Sequence, residues 1–499
     1  MHFNSLTYAL FLPIVFVLYW AAARWHRAQN LVMLIASYIF YAWWDWRFLG
    51  LFMGCAGVDF LVGLYLDQAS HPDRTERARK TVLTLGIVTN LTALGFFKYF
   101  NFFLGSLKDA LETLGVQTNL HTLDIILPLG ISFYTFQSMS YSLDVYRGIV
   151  KPTRDPLTYF AYVAFFPQLV AGPIERADRL LPAFLAPRVF EPEKARDGLR
   201  QILWGIVKKV VVADNLAPSV EAVYQHVGTS SGLALFLGTG LFFVQIYCDF
   251  SGYSDIAIGS ARLFGFSLTR NFAFPFFSTS LTEFWRRWHV TLNTWLRDYV
   301  FLVLEMGARR RHLARRAKLP VEKQGPRTPP KWRTALNLFA VFILSGLWHG
   351  AAWTFVMQGV LTGTYLSIEL FTGLQVARNV VAYERWAPTL RECASMLRVN
   401  ALTLLSLVLF RAEGLRQAVG IYGRMLAAPL EGFDFEPFLG PCALAAAVPF
   451  FEWWQRRQQH GLEIARWPLW ARWGTYVLLC LALLLHGNTR SREFVYFQF

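Results

Sequence analysis

Two histidines sit where an apolar chain has little use for an imidazole. Between Ala335 and Leu366 there is no Asp, Glu, Lys or Arg, and the one histidine is His349, in SGLWHGAAW. A neutral imidazole takes the proton of an alcohol or thiol near neutral pH, and burial favours the neutral form of such a ring. Gly346 and Gly350 offer a competing explanation, because small residues four apart favour close helix packing, with the histidine bonding across the seam. Desolvating an ionisable group without a role is costly, however. Gly350, Ala351 and Ala352 would also let a slender ligand approach the ring.

The second histidine, His289, lies in EFWRRWHVTLNTWLRDY, residues 283–299. Read as one helix, this segment gathers Trp285, Trp288, Leu292, Leu296 and Tyr299 on or near one face. Arg286, His289, Asn293 and Arg297 fall into a polar stripe at spacings of three and four. An interfacial helix with tryptophan at headgroup depth explains that pattern. A site explains it too, with His289 assisting and Arg286, Arg287 and Arg297 holding phosphates. The two histidines have no HxxH or HxxxH partner and do not complete a zinc site, so no metal is expected.

A third group is IYCDFSGYSDIAIGSARLFGF, residues 246–266. Asp249 and Asp255 would point ~240° apart on a regular helix and form no dyad. They are expected to bond backbone or hydroxyl groups at a helix break near Gly252. A proton relay, as in a transporter, is the other reading, and Asp59 and Asp144 are weaker cases of the same kind.

The elements that must position these groups are membrane spans. The chain has 499 residues, 55% hydrophobic and only 16% charged, with a mean hydropathy of +0.34; soluble chains carry roughly a quarter charged residues. Runs approaching the ~20 residues that cross a bilayer recur near 6–23, 30–44, 47–66, 81–104, 157–173, 199–217, 233–264, 335–366, 399–411, 440–454 and 469–486. The 335–366 run would reach ~48 Å as one helix, so it tilts, breaks or forms two segments, with Gly346, Gly350 and Gly359 as break points. Stretches 127–148, 165–182 and 270–301 mix Pro and Gly with aromatic and charged residues. Irregular backbone at membrane depth needs cover from protein or a water-filled cavity, which predicts re-entrant and interfacial helices.

Charge sets the orientation. The net charge is +15, and ten Lys or Arg (Arg309, Arg310, Arg311, Arg315, Arg316, Lys318, Lys323, Arg327, Lys331, Arg333) face one acid, Glu322, between Met306 and Arg333. Positive charge stays cytoplasmic, so residues 306–333 are expected as a cytoplasmic loop, able also to attract anionic headgroups or a phosphate-bearing ligand. Arg24 and Arg27 follow the first run instead of preceding it, unlike a secretory signal, which predicts a retained first span with its N-terminus outside. Nucleic-acid binding is excluded by the lack of a reading module beside the basic cluster. The five cysteines (Cys55, Cys248, Cys393, Cys442, Cys480) are scattered and give no disulfide framework. The terminal FVYFQF, residues 494–499, is too short to span. It is expected to pack on the last helix or to form an outward rim for a partner.

FWRRWHVTLNTWLRDY, SGLWHGAAWTF, LPLGISFYTFQSMSYSLDVYRG, DFSGYSDIAIGSARL and the terminal REFVYFQF together resemble the membrane-bound O-acyltransferase (MBOAT) family. The resemblance is to its bacterial polysaccharide branch, typified by the alginate O-acetyltransferase membrane component, and it runs through the whole chain. It implies a single all-α polytopic membrane domain over residues 1–499, a ring of tilted helices with re-entrant and interfacial helices around a central tunnel. In that resemblance the near-invariant family histidine falls on His349 and the second recurring one on His289. It implies no permanently bound cofactor, and cytoplasmic acetyl-CoA as donor substrate. The acetyl group crosses the bacterial inner membrane and passes to a periplasmic acetyltransferase partner working with the polysaccharide synthesis machinery on an exopolysaccharide such as alginate. A related activity, D-alanyl transfer to teichoic acid, uses a carrier protein and shares the histidines. VLEMGARRRHLARR departs from the branch, keeping only Gly307 of its usual Gly-Gly turn. Two other classes remain open from the residues alone: a proton-coupled envelope transporter, and a structural subunit of a synthase complex in which His349→Ala would be silent.

Overall fold

The computed structural model describes residues 1–318, 326–375, 379–382, 385–487, 492, 494 and 495. Helices and their connections account for the described residues, with no strand among them. Among the described residues five helices are long and apolar enough to cross a membrane: Arg47–Leu66, Glu76–Thr113, Gly232–Leu263, Leu390–Arg411 and Leu469–His486. The expected all-α polytopic architecture stands. Several of the eleven apolar runs nevertheless fold differently from simple spans. Residues 157–173 form two short buried helices, Pro156–Ala164 and Phe166–Leu169, separated at Phe165.

The chain divides into two compact units. The first comprises Met1–Ile206 and Tyr253–Thr269. Its outer helices are apolar outward: Leu6, Leu10, Ile14 and Val17 of Leu6–Ala21 are all exposed, as expected where lipid is the solvent. Its interior carries polar groups among buried aromatic side chains. The stretch expected to be irregular, 127–148, folds into the helix Ile131–Tyr146, buried along nearly its whole length despite its serines, threonine and tyrosines. One of those side chains is met by a buried carboxylate: Ser142 Oγ donates to Asp59 Oδ1 at 2.6 Å, and Asn90 Nδ2 donates to Asp59 Oδ2 at 2.7 Å. Asp59 thus knits three helices, which is how polar residues serve between membrane helices.

The second unit comprises Val207–Gly252 and Arg270–Phe499. The 335–366 run is two helices, Lys331–His349 and Trp353–Thr372, reversing through extended Gly350 and Ala352. Their sides touch backbone to backbone. A Cβ on Gly346 would lie 2.1 Å from the Phe355 carbonyl oxygen, and one on Gly359 would lie 2.3 Å from that of Phe342. At Gly350 the same atom would strike the Phe355 ring at 2.2 Å. Gly346, Gly350 and Gly359 therefore admit the returning helix, and Gly350 is taken up by the Phe355 ring. Gly346→Val should cost ~1–3 kcal/mol by overpacking this seam, read as a lowered melting temperature in detergent; an unchanged melt would contradict the assignment.

Two other expectations are corrected. Gly232–Leu263 is one continuous helix with no break at Gly252, because Ser251 and Asp249 find side-chain partners on a neighbouring helix instead of a freed backbone. Residues 283–299 are not one helix. Leu281–Arg287 ends at Trp288, His289 is left-handed (φ 44°), and Val290–Leu296 follows. That reversal dissolves the polar stripe that a regular helix would have made. The basic segment begins as a helix, Leu302–Ala317, whose Glu305 accepts from Thr334 and Asn337 at the foot of the His349 helix. Lys323 and Glu322 lie outside the described residues.

Candidate active site

His349 is the last residue of its helix and is 8% exposed. His289 is 1% exposed and occupies the turn between two short helices. Sixty residues apart in sequence, the two rings flank one indole. Trp348 lies 5.4 Å from His289 and 5.0 Å from His349, ring centre to ring centre. Phe250 closes the far side of His289 at 4.7 Å, and Phe410 stands against His349 at 5.3 Å. The structure thus brings together both histidines singled out from the sequence.

The left-handed backbone at His289 is uncommon for a side chain of this size and is maintained only where the surroundings insist on it. Here Val290 N–H donates to the Asn271 carbonyl at 2.9 Å, and Asn293 Nδ2 donates to the Trp288 carbonyl at 2.6 Å. Burial first, and then the neighbouring His349, holds the His289 pKa well below the ordinary histidine value. The ring is therefore neutral at neutral pH and able to accept a proton.

His349 lines a narrow cavity of about 30 Å³. Its walls are mainly aromatic and aliphatic, including Phe243, Trp285, Trp288 and Leu407, with Gln358, Thr362 and Ser406 as a short polar line. Gln358 Nε2 donates to Ser406 Oγ at 3.3 Å, and the Thr362 and Ser406 hydroxyls lie 3.4 Å apart. An apolar chamber with a few placed polar groups is the usual form of a small-molecule site. A second cavity, also of about 30 Å³, is polar. Lys209, Asp214, Asp249, Glu221, Arg411 and Arg492 line it, and Lys209 Nζ lies 2.9 Å from Asp214 Oδ1 and 2.6 Å from Asp249 Oδ1. Phe242 of this cavity and Phe410 of the first are ring neighbours at 6.4 Å. A thin aromatic layer therefore stands between the two.

The arginines proposed for phosphate are less concentrated than a single helix would make them. Arg287 is pinned, donating to Glu283 Oε1 at 2.8 Å, the Ala273 carbonyl at 3.0 Å and Asn379 Oδ1 at 2.6 Å. Arg286 is exposed. Arg297 is exposed too and pairs with Asp298 at 2.7 Å. None of the three lines the His349 cavity. Asp249 and Asp255 go separate ways, as their spacing requires: Asp255 accepts from Gln201 Nε2 at 2.7 Å, whereas Asp249 pairs with Lys209.

Sequence reading missed Asn271, Gln358, Thr362, Ser406 and the Lys209 cluster. Gln358 and Thr362, four apart in an otherwise apolar run just after His349, were the available signal. The described part of the C-terminal stretch does not pack on the last helix. Phe494 and Val495 are buried, Phe494 against Phe250 at 5.3 Å, and Val495 N–H donates to Asp249 Oδ2 at 2.7 Å. They seat on the long helix Gly232–Leu263, since that helix offers both an apolar ring and a carboxylate; residues 496–499 lie outside those described.

A many-helix membrane chain with two buried histidines beside an apolar cavity has the parts of a membrane enzyme. The comparisons identify which. The model of MBOAT, the membrane-bound O-acyltransferase family, matches residues 152–317. Probable alginate O-acetylase AlgI of Azotobacter vinelandii is 39% identical over 418 residues, 84% of this chain and 76% of that one. The peptidoglycan O-acetyltransferase of Helicobacter pylori is 32% identical over 387 residues, covering 72% of this chain and 68% of its own. The teichoic acid D-alanyltransferase of Bacillus subtilis is more distant, 26% identical over 242 residues, 46% of this chain and 56% of its own. The chain belongs to the membrane-bound O-acyltransferase family and is a multi-pass membrane O-acyltransferase.

Proposed function

We propose that this enzyme moves an acetyl group from cytoplasmic acetyl-CoA across the bacterial inner membrane, for O-acetylation of an exopolysaccharide such as alginate through a periplasmic partner. The observation that carries this reading is His349 at the wall of a narrow apolar cavity, with His289 across one indole. The chamber suits the acyl thioester end of a donor, and its polar line suits amide and carbonyl groups. An acceptor hydroxyl gives its proton to His349 as its oxygen attacks the thioester carbonyl. The carbon–oxygen bond forms, the carbon–sulfur bond breaks, and the departing thiolate takes the proton from the imidazolium. The charged cavity beyond Phe242 and Phe410 supports a polar acceptor arriving from the other side. Arg286 and Arg297, being exposed, are the arginines able to meet donor phosphates.

Among the described lining residues the chamber has no carboxylate. An acetyl group needs none, whereas the ammonium of a D-alanyl group would be desolvated there without a counter-ion, which favours acetyl. Thiol release from acetyl-CoA by purified protein with a hydroxyl acceptor, set against an aminoacyl thioester, tests the choice. Faster use of the aminoacyl donor would reject it.

Sidedness follows from the basic helix. In a cysteine-free background, Ala314→Cys should be shielded from impermeant maleimide in whole cells and should label once the inner membrane is opened. Labelling in intact cells would reverse the donor side.

A further inference from the structure

We infer that Asn271 is a positioning residue that fixes which nitrogen of His289 carries the proton. This rests on the acyltransferase reading above, in which His289 works beside His349. Asn271 is fully buried and lies in the turn immediately before Phe272, outside every helix. Its Oδ1 lies 3.2 Å from His289 Nδ1. The same oxygen accepts from the Thr291 backbone N–H at 3.3 Å and from the Thr291 hydroxyl at 3.0 Å.

The backbone N–H decides the chemistry. A histidine tautomer and an amide's orientation are normally set by the surrounding bonds, and a main-chain N–H can only donate. The Asn271 atom facing Thr291 is thus the oxygen, and an amide oxygen can only accept. His289 Nδ1 must then be the protonated nitrogen, which makes Nε2 the lone-pair nitrogen of the neutral ring. A histidine whose other nitrogen is so tied has its tautomer and its ring angle set together. The main-chain bond from Val290 to the Asn271 carbonyl holds the two turns in register, so the amide cannot drift from the ring. His289 is thereby presented as a proton acceptor in the resting enzyme. Without Asn271 the ring could take the opposite tautomer and present a donor at the same place.

The test is a double-mutant cycle in membrane vesicles from the producing cells, measuring formation of alkali-labile acetyl ester from labelled acetyl-CoA. Asn271→Ala should lower kcat ~10–100-fold, less than the ~10²–10⁴-fold typical of losing the acid–base group itself, and leave KM for acetyl-CoA within about twofold. In a His289→Ala background the same change should add almost nothing, because residues acting as one unit are not additive. Asn271→Asp keeps the acceptor oxygen and should recover most of the rate at high pH. Its negative charge favours protonated His289, so the acid limb of its pH–rate profile should move to higher pH. That second variant keeps the idea testable should Asn271→Ala fail to accumulate. Multiplicative losses in the cycle, or an Asp variant with an unmoved acid limb, would overturn the inference. Absence of acetyl transfer by the unmodified protein would instead overturn the functional reading on which it rests.

Discussion

His349→Ala is expected to lower acyl transfer by ~10²–10⁴-fold, the range typical for losing a general base, while membrane level and thermal melting stay near wild type. The ring touches Trp348 and Phe410 and borders the chamber, so its removal enlarges an existing space more than it opens a new one. A residue holding helices together would behave otherwise. In this hairpin the close contacts are made by Gly346 and Gly359 against opposing carbonyl oxygens, and His349 contributes none of them. Transfer rates and melting curves on the same preparations check the claim. Near-normal transfer, or loss accounted for by vanished protein, would return His349 to a packing role.

Lys209→Met is expected to have the largest effect on stability. The ammonium sits between Asp214 and Asp249, and the three side chains are 8%, 4% and 1% exposed. Removing one partner of a buried ion pair costs ~3–5 kcal/mol, because the charge left behind is uncompensated; here two carboxylates would be stranded. Such a loss rivals the whole stability of many domains, so Lys209→Met should fail to accumulate. The triple change Lys209→Met, Asp214→Asn, Asp249→Asn removes the charges together and should restore much of the protein, as seen by membrane level and melting in detergent. Accumulation of the single variant at the wild-type level would show that the cluster is not load-carrying for the fold. The contrast between the two positions separates a chemical imidazole from a structural ammonium.

How far the sequence discloses this architecture depends on the range of the interaction involved. The helix reversal at Gly350, the separate fates of Asp249 and Asp255 and the pairing of His349 with His289 follow from local pattern or from the family resemblance. Periodicity failed at residues 283–299. A pattern compatible with one helix says nothing about Asn271, eighteen residues upstream, whose carbonyl and amide oxygen capture the turn at His289. Likewise 127–148 looked irregular because it mixes Pro and Gly with aromatic and charged residues, whereas its helix is held by a distant group, Asp59, which accepts from Ser142. Lys209 lies inside the apolar run 199–217 and was not singled out. Its two carboxylates come from a later turn and from a separate helix, and no spacing rule joins the latter. The hydropathy prior was sound as far as it went, but it counted 157–173 as a span when that run supplies buried helices too short to cross.

The most direct measurement uses purified protein reconstituted in one orientation, with radiolabelled acetyl-CoA on the side of helix Leu302–Ala317 and a hydroxyl-bearing acceptor polysaccharide, with its partner, on the other. The expected result is labelled O-acetyl ester on the acceptor side, dependent on His349 and accompanied by free CoA on the donor side. Label that stays with the donor compartment as acetate, or ester that forms equally well with His349→Ala, would contradict transmembrane acyl transfer at this site.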